Sequence, residues 1–258
     1  MPDDAFLLRA KAAFDSLFAD ARAKSEFDFV LALNPEFRGM QDAGWSPAEE
    51  VLRAIEDFST FLNNPSVSIR LRVRSALGFY CNLCEASGLY EVPKNLLRIL
   101  DGQKHHCWPF QDLVEQHTRT GEAILPNANR IMKNLVGHAK ALGRDDLATV
   151  LSEAFDAELR HAFAHADYVI WTDGVRICGK HFTRKRLITF PDFQALVNRG
   201  AGFVTTLRSV MATYVRHYAT PRVIDGSFSR LPGDKTLVTY NTDTGVFRIE
   251  SYYPDGKG

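Results

Sequence analysis

Within the stretch Glu158-Leu159-Arg160-His161-Ala162-Phe163-Ala164-His165-Ala166-Asp167-Tyr168, one arginine and two histidines fall inside six positions. Nowhere else does the sequence gather so many groups able to hold a phosphate or move a proton. An imidazole near its ordinary pKa of ~6.5 can take or give a proton close to neutral pH. A guanidinium stays charged and offers a planar fork that matches two phosphate oxygens. Metal-free RNA cleavage needs three services: a base for the ribose 2′-hydroxyl, an acid for the leaving oxygen, and a cation for the phosphorane. Arg160, His161 and His165 have the chemistry for all three.

Spacing limits how they can act. On one ideal helix, five positions at ~100° each leave Arg160 and His165 about 140° apart. They converge only if the arginine wraps or the helix stops before His165. His161 and His165 lie four apart and share a face, with Glu158 behind His161. Plainer roles compete: Asp156, four residues before Arg160, can form a helix-surface ion pair with it, and His165 can cap carbonyls at a helix C-terminus. Glu158, His161 and His165 also resemble a helical metal-ligand set, although Ala162, Phe163 and Ala164 leave no glutamate between the histidines to act as base.

Arginine, a polar residue, three further residues and histidine, here Arg160-His161-x-x-x-His165, resemble the signature of the HEPN superfamily of all-helical nucleotide-binding modules. The family accepts histidine after the arginine, and the likeness spans about residues 145 to 218. The resemblance implies a HEPN-like helical bundle and metal-independent endoribonuclease activity, in a toxin or phage-defence setting, with an antitoxin or regulatory protein as a further partner. It also implies a homodimer in which two motif helices share one composite cleft, which would supply every group twice. Arg160, His161 and His165 become the expected catalytic residues, with no cofactor. A non-catalytic helical module binding RNA, nucleotide or protein remains the alternative from another class, beside the metal reading.

The 258 residues, 45% hydrophobic and 24% charged, suit a globular protein with a sizeable core. No apolar run approaches the ~20 residues that span a bilayer. The N-terminus, Met1-Pro2-Asp3-Asp4, lacks a basic and then apolar leader, so the expected partners exclude membrane and the expected location is cytoplasmic. Formal charge is zero overall, yet residues 160 to 230 hold 11 Lys/Arg against 4 Asp/Glu, a local +7 balanced by −7 elsewhere. Within that segment Arg184, Lys185 and Arg186 form a basic loop and are the expected RNA contacts. Arg70 and Arg74, one helical turn apart, are a second possible phosphate-binding pair. Cys81, Cys84 and Cys107 with His105 and His106 offer enough ligands for zinc. Cys81 and Cys84, however, continue the stripe of Val73, Leu77 and Tyr80, which favours core thiols.

The elements that must position the motif follow from periodicity. Asp3 or Asp4 caps a helix to about residue 24, and 27 to 33 is a short apolar run ended by Asn34-Pro35. Ser46-Pro47-Ala48-Glu49 opens a helix that stops at Asn63-Asn64. Further helices are expected over about 66 to 87, 93 to 100, 109 to 117 and 127 to 142. The motif helix should run unbroken from residues 144–146, with Leu147, Val150, Leu151, Ala154, Phe155, Leu159 and Ala162 on its apolar face. Hairpins are expected at 168 to 178 and 236 to 251, and a long helix from Pro191 to about Tyr218. The whole reads as one mainly helical domain over 1–258: a helical extension over 1–64, a HEPN-like core over 65–220, and a C-terminal β-hairpin over 221–258.

Overall fold

Phe6, Ala10, Phe14, Leu17, Phe18 and Ala21 recur at three- and four-residue intervals, and all six are fully buried in helix α1 (Asp4–Lys24). An apolar stripe of that width must be covered on several sides. The computed structural model describes residues 4–34, 47–62, 64–178, 185–229 and 233–253. Asp3, Pro35, Ser46, Asn63 and the part of the basic loop through Arg184 lie outside the described residues. Within them the molecule is mainly helical with small antiparallel sheets. No described helix is long and apolar enough to cross a membrane.

Around α1 stand α2 (Glu26–Ala32), α5 (Ser87–Leu100), α7 (Asp145–Ala154) and the long α9 (Phe190–Arg216). The contacts are aromatic. Phe14 meets Phe203 of α9 at 5.5 Å, and Phe18 meets Phe29 of α2 at 6.1 Å and Tyr214 of α9 at 5.3 Å. The N-terminal helix therefore belongs to the principal core. Helix α6 (Ala128–Ala141) packs on α5 and α7. Asn127 caps it, accepting from the Arg130 N–H at 3.0 Å, and Gly143, at φ +69, ends it.

A second core carries the motif. Val73, Leu77 and Tyr80 of α4 (Ile69–Cys84) pack with Val175 and Ile177 of β4 (Gly174–Cys178), Ile188 of β5 (Lys185–Thr189), and Phe193 and Val197 of α9. Strand β3 (Tyr168–Ile170) pairs with β4, and β4 with β5, all antiparallel. Gly174 is required at the turn into β4: a Cβ there would sit 2.2 Å from the Ile188 carbonyl oxygen. The C-terminal sheet joins β6 (Arg222–Asp225), β7 (Lys235–Tyr240) and β8 (Phe247–Ser251) in sequence order. It is tied to the end of α9 by the Tyr240 N–H donating to the Tyr218 carbonyl at 2.8 Å. Helix α3 (Pro47–Leu62) lies against α4.

Several expectations are corrected. Both hairpins form, and each gains a third strand. The end of the basic run, Lys185 and Arg186, opens β5, whose exposure alternates until Ile188 is buried, and β6 follows Pro221 directly. Helix α4 ends at Cys84, before residue 87. Helix α5 starts six residues earlier than Pro93. Burial of Leu89, Tyr90 and Val92, at ~1.5–3 kcal/mol each, exceeds the ~3 kcal/mol cost of an interior proline. No α-helix forms over 109 to 117. A single 3-10 turn, Gln111–Leu113, precedes the two-residue strand β1 (Glu115–Gln116), which pairs with β2 (Ala123–Ile124). Gly121, at φ +70, allows that reversal.

The motif helix is broken. After α7 ends at Ala154, Phe155 is extended at φ −138 and ψ 140, and a new helix, α8 (Ala157–Ala164), begins. The break frees the Phe155 ring to sit among Tyr80, Tyr90 and Phe203, at 5.9, 6.3 and 5.7 Å. It also frees Asp156 to cap α8.

Candidate active site

Asp156 builds the N-terminal end of the site. Its carboxylate accepts the Leu159 N–H at 2.9 Å, and its own N–H donates to the Tyr80 hydroxyl. Leu159 and Ala162 then turn inward, 0% and 2% exposed, against α4 and β4. Arg186 of β5 reaches back to Asp156 at 2.7 Å and to Glu158 at 3.2 Å. The hydrogen bond from Asp156 outweighs partial burial and holds the Arg186 guanidinium above its usual pKa. Arg186 is thus a clasp between sheet and helix. Of the three expected RNA contacts, Arg184 lies outside the described residues and Lys185 is exposed at the start of β5. Arg70 and Arg74 are exposed on α4.

Arg160 is held at both ends by the last turn of α4. Its guanidinium pairs with Glu85, the residue that ends α4, and its carbonyl accepts the Cys81 thiol at 3.7 Å. The arginine side chain is only 16% exposed. The pairing expected with Asp156 does not occur, because Asp156 is taken by the cap and by Arg186. Burial pushes the Cys81 thiol up to about 11, against the opposing pull of Arg160, so the group serves as a donor. Cys84, which burial pushes up still further, is a core thiol. All four cysteines are free.

Helix α8 stops at Ala164, so His165 is its C-cap rather than an interior residue. The chain closes in a Schellman turn: Asp167 N–H donates to Ala162 at 2.8 Å, and Ala166 N–H to Phe163 at 3.1 Å. Ala166 occupies the left-handed position at φ 57, the only non-glycine among the described residues to do so. The cost is about 1–2 kcal/mol at a position that glycine normally fills. This turn leaves His165 exposed and places its ring 4.3 Å from that of His161, tilted by 51°.

The motif is therefore split in two. His161 and His165 come together at the open end of α8, while Arg160 is pinned to Glu85 on the α4 side, with no hydrogen bond joining it to His165. Sequence reasoning missed Glu85 as the partner of Arg160, and it missed Asp156 as the cap of α8 and the partner of Arg186. Asp156 did carry a signal, since an aspartate followed by Ala157-Glu158 is a good helix start. Glu85 carried none, because its contact depends on how α4 crosses α8.

Among the described residues, no group of three or more His, Cys, Asp or Glu is arranged to hold a metal ion. Glu158, His161 and His165 do not form one, nor do Cys81, Cys84 and Cys107 with the neighbouring histidines. What the arrangement offers is proton transfer at the histidine pair, beside a guanidinium that a phosphate could claim from Glu85. No protein-family model, curated protein or solved structure matches the chain.

Proposed function

We propose that the protein is a metal-independent endoribonuclease of the HEPN type, with Arg160, His161 and His165 as its catalytic groups. The observation that carries the reading is the histidine pair, two imidazoles whose ring centroids lie 4.3 Å apart at the exposed C-terminal end of α8. An imidazole removes the 2′-hydroxyl proton, and that oxygen attacks the adjacent phosphorus. The bond from phosphorus to the 5′-oxygen breaks, and an imidazolium protonates the departing oxygen. Arg160 offsets the charge on the phosphorane once the phosphate displaces Glu85. Lys185 adds a phosphate contact at the edge of the site.

Two protomers with their α8 helices together would give a composite cleft with two such pairs. Light scattering should then report about twice the 29.0 kDa of one chain, and a monomer at micromolar concentration would count against the cleft. A toxin or phage-defence role, restrained by an antitoxin or regulatory protein, fits an activity that must be held in check. The chemical test is incubation with a structured RNA in EDTA. Cleavage should persist and leave 2′,3′-cyclic phosphate and 5′-hydroxyl ends.

A second reading is favoured by the ion pairs. With Arg160 bound to Glu85 and Arg186 bound to Asp156 and Glu158, the motif can serve as a structural joint in a helical module that binds RNA, nucleotide or protein without cutting. RNA binding without any cyclic-phosphate product would select it.

A further inference from the structure

Away from the motif, α5 and α6 face each other across a polar seam. Lys94 and Arg98 are one turn apart on α5, and Asn134 and His138 are one turn apart on α6. The Lys94 ammonium lies 3.1 Å from His138 Nδ1, which joins the two pairs. Neither Lys94 nor Arg98 has a carboxylate within ion-pairing distance among the described residues. Asp101 is 3.7 Å from His138 Nε2 and accepts from Gln103 at 2.7 Å. Asp112, in the exposed 3-10 turn, also acts on Lys94 through its charge, without an ion pair. Of the three buried side-chain polar atoms without a hydrogen-bond partner among the described residues, two lie on these helices, Arg98 Nε and Asn134 Oδ1.

We infer that this seam is a binding site for a small phosphate-type oxyanion, held by Lys94, Arg98 and His138 with Asn134 at its wall. Two like charges sharing one partly buried helix face repel each other and are poorly solvated. Burial first, and then the Arg98 charge, lower the Lys94 pKa. Burial first, and then Lys94, lower that of His138. An anion reverses both effects. Its oxygens can accept from the lysine ammonium and from the orphaned Arg98 Nε–H. Asn134 Oδ1 can accept the hydroxyl of a monohydrogen phosphate or the sugar hydroxyl of a nucleotide. The inference is independent of the ribonuclease reading, because none of these residues belongs to the α8 site.

The test is calorimetric titration of the full chain with inorganic phosphate and with 5′-AMP, against sodium chloride at matched ionic strength. Thermal unfolding would be followed in the same buffers. One-to-one saturable binding and a melting point raised by phosphate but not by chloride are expected. Equal affinities would assign the site to the phosphate alone, and tighter AMP binding to a nucleotide. Lys94→Met and Arg98→Met should each weaken binding by about tenfold or more. Asn134→Asp keeps the shape but supplies an internal anion. It should abolish phosphate binding while raising the melting point of the unliganded protein. Heats that follow ionic strength alone, or binding intact in folded Lys94→Met and Asn134→Asp, would overturn the assignment.

Discussion

Replacing Glu85 with glutamine removes the carboxylate that pins the motif arginine while preserving side-chain shape. The magnitude follows from exposure. An ion pair on open surface contributes about 0–1 kcal/mol, and breaking a fully buried pair costs about 3–5 kcal/mol. Arg160 is 16% exposed and Glu85 is 42% exposed, which places this pair between the two limits. A loss of about 1–2 kcal/mol is expected, or roughly 2–8 °C in melting temperature for a chain of this size. Arg160→Gln should cost a similar amount. The double variant should cost less than the two single losses added together, with a coupling energy of about 1 kcal/mol. Urea unfolding followed by circular dichroism measures all four proteins. Coupling within about 0.3 kcal/mol of zero would refute the pairing and the position of Arg160 that depends on it. Glu85→Gln also removes the internal competitor for the guanidinium, so RNA should bind up to about tenfold more tightly.

Ala166→Gly should stabilise the chain by about 0.5–1 kcal/mol. The relief of a left-handed alanine exceeds the entropy that glycine adds to the unfolded state, and thermal unfolding gives the sign directly. Glu26 anchors the ends of α1 and α9 through Arg22 at 2.8 Å and the Tyr218 hydroxyl at 3.0 Å. Burial opposes its ionisation, but those hydrogen bonds and charges outweigh it and hold the carboxyl below its ordinary 4.5. The folded chain therefore binds this proton more weakly than the unfolded chain does. The contribution is whole above pH 4.5 and is lost as pH falls through the lower folded value. Melting temperatures from pH 6 to 3 should fall less steeply in Glu26→Gln.

Long amphipathic elements were legible from spacing alone. The stripe from Phe6 to Ala21 marks α1, and the run from Phe193 to Met211 marks α9, because burial of a whole face outweighs local preferences. The turn Thr172-Asp173-Gly174 marks β3 and β4 equally well. What stayed hidden depends on tertiary contacts. Strand β5 opens with Lys185 and Arg186, which suggest a loop until Arg186 meets Asp156 and Glu158 on α8. The apolar stripe from Leu147 to Ala162 continues through Phe155, so nothing in its periodicity marks the break. Only the aromatic surroundings of Phe155 and the Tyr80 hydroxyl at Asp156 explain it. In the site, the approach of His161 to His165 followed from their four-residue spacing. The partner of Arg160 did not, since Glu85 lies 75 positions away.

The ribonuclease reading rests most heavily on His165, the exposed cap of α8, so its removal tests the account most directly. Single-turnover cleavage of a structured RNA in EDTA should slow by about 10²–10⁴-fold in His165→Ala, with RNA affinity unchanged. Arg160→Lys should also be slow, because an ammonium cannot reproduce the guanidinium fork, whereas His161→Asn should be milder. His165→Ala cutting as fast as the wild type, or EDTA abolishing activity in a protein that carries stoichiometric zinc, would contradict the assignment of catalysis to this motif.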